Sequence, residues 1–132
     1  MPRKKKKRIK PEKIIAALYC RVSTYDQTVL DFSSLDAQEQ ALKDWCKDEG
    51  WQVYQVYIDK GISAKDLKRP ALKMLRNDAK SGKFNQIIYT KMDRLSRSLR
   101  DHLLLTDEFD DLGIITKSKS EPFIGDGIMG RM

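Results

Sequence analysis

Short apolar runs alternate with longer amphipathic stretches from Lys13 onward. KIIAALYC, residues 13–20, is continuously apolar, which predicts a strand covered on both faces. FSSLDAQEQALKDWCKDEG, residues 32–50, follows a helical period instead. Its Leu35, Leu42, Trp45 and Cys46 share one stripe, Ser33 or Ser34 can cap its start, and Gly50 closes it. WQVYQVYI, residues 51–58, is aromatic and β-branched, so it predicts a second strand. RPALKMLRNDAKSG, residues 69–82, predicts a second helix: Pro70 fits the first turn, Leu72, Leu75 and Ala79 share a face, and Gly82 ends it. FNQIIYT, residues 84–90, is the third predicted strand. RSLRDHLLLTDEFDDLG, residues 97–113, is a third helix stopped by Gly113, and IIT at 114–116 a fourth short strand.

Strands and helices in strict alternation predict an α/β fold. The expected architecture is a mostly parallel four- to five-stranded sheet with right-handed crossovers and helices on both faces. A chain of 132 residues is long enough for one domain with a real core. Residues 1–12 are expected to form a flexible basic arm and residues 13–132 the folded domain. The glycine-rich end, IGDGIMGRM, suggests that the chain stops as another element begins.

Composition narrows the setting. No apolar stretch approaches the roughly 20 residues of a membrane span, so no membrane partner is expected. IIAALY is too short for a secretory signal and no cleavage site follows it. Cys20 and Cys46 stand far apart, and His102 is the single histidine, too few soft ligands for structural zinc. A cytoplasmic location with both thiols reduced is the expectation.

The net charge of +7 sits in one place. MPRKKKKRIK holds seven of the 26 basic residues and no acid, while beyond it nineteen Lys and Arg face nineteen Asp and Glu. The basicity therefore belongs to an arm and not to the folded body. Such an arm suits a polyanion such as nucleic acid, or serves only as a solubilising tail.

Candidate chemistry gathers after each of the first three strands. The first runs into Arg21, Ser23 and Gln27; the second into Asp59, Lys60 and Ser63, with Arg69 further on; the third into Lys91, Asp93, Arg94 and Arg97. In a parallel sheet these ends lie along one edge, so the groups can meet across a single crevice. Several guanidinium groups around a hydroxyl suit a phosphodiester. They pair with phosphate oxygens and stabilise the charge that builds up on attack. On a helix start, Asp93, Arg94 and Arg97 would lie within reach of one another.

Each residue also has a plain structural role open to it. Ser23 is a turn residue or a nucleophile; Asp59 and Asp93 suit turn and cap contacts; Lys60 and Lys91 suit solvated charges; Arg100 and His102 read as helix-surface residues. A serine hydrolase lacks its GxSxG and a histidine with an evident acid partner. No GxxxxGK[ST] or GxGxxG is present, so no nucleotide cofactor is expected. A two-metal phosphodiesterase built on Asp59, Asp93 and Asp126 is the competing reading. The arginines stand where metals would be redundant, so no metal is expected.

YCRVST with Gln27, then SLDAQEQAL, DKGIS, KRPAL and KMDRLSRS, occur in the order and spacing of the serine site-specific recombinases, the resolvases and invertases. The resemblance runs from about residue 14 to the C-terminus. It implies a resolvase-like catalytic domain that exchanges strands of double-stranded DNA through a phosphoserine link, with no cofactor. By position, Ser23 matches the nucleophile, and Arg21, Arg69, Arg94 and Arg97 the arginines that activate it and hold the scissile phosphate. Gln27, Asp59 and Asp93 match polar residues around that site, and Lys60 and Lys91 are further candidates for DNA phosphate. The resemblance also implies a homodimer or homotetramer of the full-length protein. The longer spacing TVLDFS between Gln27 and Ser34 is similar to the large serine recombinases. The family's long subunit helix and DNA-reading domain would follow the present end, so the fragment alone is expected to bind sites weakly.

Overall fold

The computed structural model describes residues 13–22, 35–60, 69–96 and 98–120. The elements in chain order are β1 (Ile15–Val22), α1 (Leu35–Glu49), β2 (Gln52–Lys60), α2 (Pro70–Lys80), β3 (Gln86–Tyr89), α3 (Met92–Leu95), α4 (Leu99–Asp111) and β4 (Ile115–Ser118). The described strands form one sheet in the order β2-β1-β3-β4, and every pairing is parallel.

The unbroken apolar character of β1 follows from its central place. Ala16, Leu18 and Cys20 point to one face and pack with Leu42, Cys46 and Ile88 beneath α1. Ala17 and Tyr19 point to the other, where they meet Tyr57, Leu72, Leu75, Ile87, Tyr89, Leu105 and Phe109 beneath α2 and α4. Helices thus cover both faces, as the alternation of runs predicts. Gly50 and Gly82 end α1 and α2 with φ of +78° and +73°, a backbone state that residues with a Cβ rarely enter.

The third predicted helix forms as α4, and a separate single turn, α3, precedes it at residues 92–95; Ser96 ends that turn with extended angles, φ −160° and ψ 142°. The longer helix begins afresh at Leu99, where the Ser98 hydroxyl accepts the Asp101 amide at 3.2 Å. Replacing Ser98 with alanine removes this cap and is expected to cost about 1 kcal/mol, read as a lower midpoint in chemical denaturation.

His102 is corrected. It is fully buried, not a surface residue, and its Nε2 lies 2.8 Å from the Tyr89 hydroxyl. His102, Leu105 and Phe109 form the inward stripe of α4. Arg100 is exposed, as expected. Among the described residues no helix is long and apolar enough to cross a membrane.

Candidate active site at the strand ends

β1 and β2 each run further than their apolar runs suggest, so Arg21 and Asp59 lie within paired strands and face each other in register. Parallel pairing between β1 and β3 stops at Leu18. Beyond it, Gln38 from α1 takes over. Its Nε2 donates to the Arg21 carbonyl at 3.0 Å and its Oε1 accepts the Arg21 amide at 3.2 Å. The side-chain amide supplies the kind of pairing that a neighbouring strand would give, and so fixes the backbone from which Arg21 projects.

Arg21 and Arg69 are both 0% exposed. Their guanidinium groups converge on the backbone at the end of α3. Arg21 Nε donates to the Arg94 carbonyl at 3.2 Å and its Nη2 to the Asp93 carbonyl at 3.1 Å. Arg69 Nη1 donates to the same Arg94 oxygen at 3.3 Å, and its Nη2 to the Leu95 carbonyl. Carbonyls at a helix end are short of partners and carry partial negative charge, which offsets the cost of burying two cations. Planar forks suit this shared binding in a way a lysine would not.

Asp59 holds the opposite wall. Its Oδ1 accepts the Ala71 amide at 2.8 Å, and its Oδ2 accepts the Leu72 amide at 3.0 Å and the Tyr19 hydroxyl at 2.6 Å. It therefore caps the first turn of α2 from a distance, filling a role that Arg69, the residue at the cap position, does not. The Arg69 guanidinium carbon in turn lies 5.6 Å from the centre of the Tyr19 ring, within cation–π range. Burial, reinforced by the Asp59 carboxylate, pushes the Tyr19 phenol well above its ordinary pKa. Tyr19 stays protonated as a donor.

The structure brings Arg21, Arg69, Arg94 and Asp59 into one neighbourhood. Arg94 is 6% exposed. The Asp93 side chain is 50% exposed and its Oδ1 stands 3.8 Å from Arg94 Nε, while its carbonyl accepts Arg21 Nη2. Lys60 and Lys91 are exposed at the ends of β2 and β3. Ser23, Gln27 and Arg97 lie outside the described residues, as do Ser33, Ser34, Ser63, Asp126 and the arm. Tyr19 and Gln38 are the structural supports that sequence reasoning missed. A phenol inside an otherwise apolar strand was the available signal, because a buried hydroxyl needs a partner.

The two-metal arrangement gains nothing from the geometry. Both Asp59 oxygens are taken up by the contacts above. Among the described residues, the acidic trio close enough to share a cation is Asp107, Asp110 and Asp111, at the far end of α4. A thiol nucleophile fares no better. Cys20 and Cys46 are free and buried, and burial pushes the Cys20 pKa up to about 12.

The sequence model of the family described as "Resolvase, N terminal domain" matches residues 16–132. The Tn3 transposon resolvase of Escherichia coli is 35% identical over 114 residues, which cover 86% of this chain and 55% of that protein. A putative DNA recombinase of Bacillus subtilis (strain 168) is 42% identical over 92 residues, 70% of this chain and 18% of that protein. Among solved structures, the N-terminal catalytic domain of TP901-1 integrase fits with a TM-score of 0.80 at 36% identity, covering 89% of this chain and 90% of that one. This chain thus spans about half the length of the resolvase and less than a fifth of the Bacillus protein. With its four-stranded parallel sheet and nearly its whole length matched, the chain belongs to the family of resolvase N-terminal domains, the catalytic-domain fold of serine recombinases.

Proposed function

We propose that this chain is the catalytic domain of a site-specific DNA recombinase that cleaves and rejoins double-stranded DNA by transesterification at Ser23. The observation that carries the reading is the meeting of Arg21 and Arg69 on the α3 backbone beside Arg94, at the strand ends that lead into Ser23 and Arg97. In the proposed step, Ser23 Oγ attacks phosphorus and the bond from phosphorus to the 3′ oxygen breaks. The serine proton passes to a base and the departing 3′ oxygen takes one up. The products are a 5′-phosphoserine link and a free 3′ hydroxyl. One ester replaces another, so rejoining needs no nucleotide. The guanidinium groups stabilise charge on the phosphate oxygens, the part a metal plays elsewhere. Gln27, Asp59 and Asp93 orient groups around the centre, and Lys60 and Lys91 contact flanking phosphates. Strand exchange takes place in a dimer or tetramer of the full-length protein, and the setting is the cytoplasm.

The test is adduct formation by the full-length protein on a duplex carrying its recombination site, 3′-labelled on the strand that is cut, with EDTA in excess. A denaturation-resistant protein–DNA adduct is expected at an unchanged rate with and without chelator. Loss of cleavage in EDTA and its return with Mg²⁺ would instead identify a metal-dependent nuclease.

A further inference from the structure

Tyr19 links Asp59 and Arg69, touching both. It is fully buried. Two routes lead from it to Arg69. Along the first, its hydroxyl donates to Asp59 Oδ2 at 2.6 Å, and the same carboxylate holds the Ala71 and Leu72 amides. Those amides belong to the first turn of α2, whose cap residue is Arg69 itself. The hydroxyl therefore fixes the backbone from which the Arg69 side chain departs. Along the second route, the Tyr19 ring lies beside the guanidinium, 5.6 Å from centre to carbon. One side chain thus constrains Arg69 at both its root and its tip.

We infer that Tyr19 is a positioning residue for Arg69, acting by anchoring the α2 cap through its hydroxyl and by supporting the guanidinium with its ring; this rests on the recombinase reading given above. A group that must meet a phosphate in transit gains little from charge alone. Misplacement by about an ångström can cost up to 10²-fold in rate. Rotamer freedom in a long side chain is one source of such misplacement, and Tyr19 limits it together with the Arg94 and Leu95 carbonyls that hold the guanidinium.

The experiment is a double-mutant cycle in the full-length protein on a duplex carrying its recombination site. It is run at a temperature where circular dichroism shows every variant folded. Rates of adduct formation are measured at saturating DNA, with affinity measured separately by mobility shift. Tyr19→Phe deletes the hydroxyl and keeps the ring. It is expected to slow adduct formation about tenfold, with affinity changed by less than about twofold. Tyr19→Leu deletes the ring as well and is expected to slow it several-fold more. Arg69→Lys keeps the charge but loses the fork and slows the reaction on its own. In the Arg69→Lys background, Tyr19→Phe is expected to have almost no further effect, because its target is gone. A wild-type rate for Tyr19→Phe, or a loss that multiplies fully with Arg69→Lys, overturns the inference and leaves the recombinase reading intact. Equal rates for the Phe and Leu variants overturn the ring's part. A wild-type rate for Arg69→Lys removes Arg69 from the chemistry, and the inference falls with that assignment.

Discussion

Replacing Ser23 with alanine is expected to abolish the covalent protein–DNA adduct, by more than about 10³-fold against the unchanged protein. The expected result is this sharp because the two nucleophile-type side chains on β1 offer no substitute. Tyr19 is buried with its phenol held protonated, and Cys20 is a buried thiol with its pKa pushed up to about 12. Neither ionises near neutral pH. The alanine variant keeps Arg21, Arg69 and Arg94 in place, so its affinity for DNA should change by less than about twofold. The measurement is denaturing electrophoresis of a labelled duplex with the full-length protein, beside a mobility shift at the same salt. Adduct surviving in the alanine variant would place the nucleophile elsewhere and leave the arginines as DNA-binding groups only.

Asp59→Ala is expected to produce the largest loss of stability among single changes at the strand ends. The carboxylate accepts three hydrogen bonds, two from the first turn of α2 and one from Tyr19. Removing it leaves those donors without their acceptor beneath a covered sheet face. A lost helix cap costs about 1 kcal/mol, and stranded buried donors cost about 1–3 kcal/mol more. A combined loss of about 3 kcal/mol lowers the melting temperature by on the order of 10 °C in a domain of this size. Scanning calorimetry or thermal circular dichroism reads it directly. A shift smaller than about 2 °C would mean that α2 is held by Leu72 and Leu75 packing alone and that Asp59 is not an anchor.

The layout of the fold was legible because a central strand and its covering helices write different periods into the sequence. Ala16 to Cys20 must be apolar at every position, while Leu72, Leu75 and Ala79 need only one stripe. The separate turn at 92–95 left no such trace, because what gathers there is two guanidinium groups on the Asp93, Arg94 and Leu95 carbonyls. The arginines themselves were legible as a cluster but not as buried groups, since a backbone carbonyl acceptor carries no sequence signature. Asp59 was legible as a residue suited to cap contacts, but the helix it caps was not, because the amide it holds stands twelve residues away. His102 could have been read correctly. Its spacing to Leu105 and Phe109 matches the inward face of α4, and only the assumption that a lone histidine favours solvent hid it.

The central position of β1 also sets the order in which the protein can fold. Ala16 pairs with Val53 on one side and with Gln86 on the other. β1 is thus made before both of the strands that flank it. One edge of β1 waits for β2 and the other for β3, so closure of the core depends on distant contacts and is intrinsically slow. A nascent chain halted before Tyr89 would leave one edge of an apolar strand unpaired, the kind of surface that chaperones recognise.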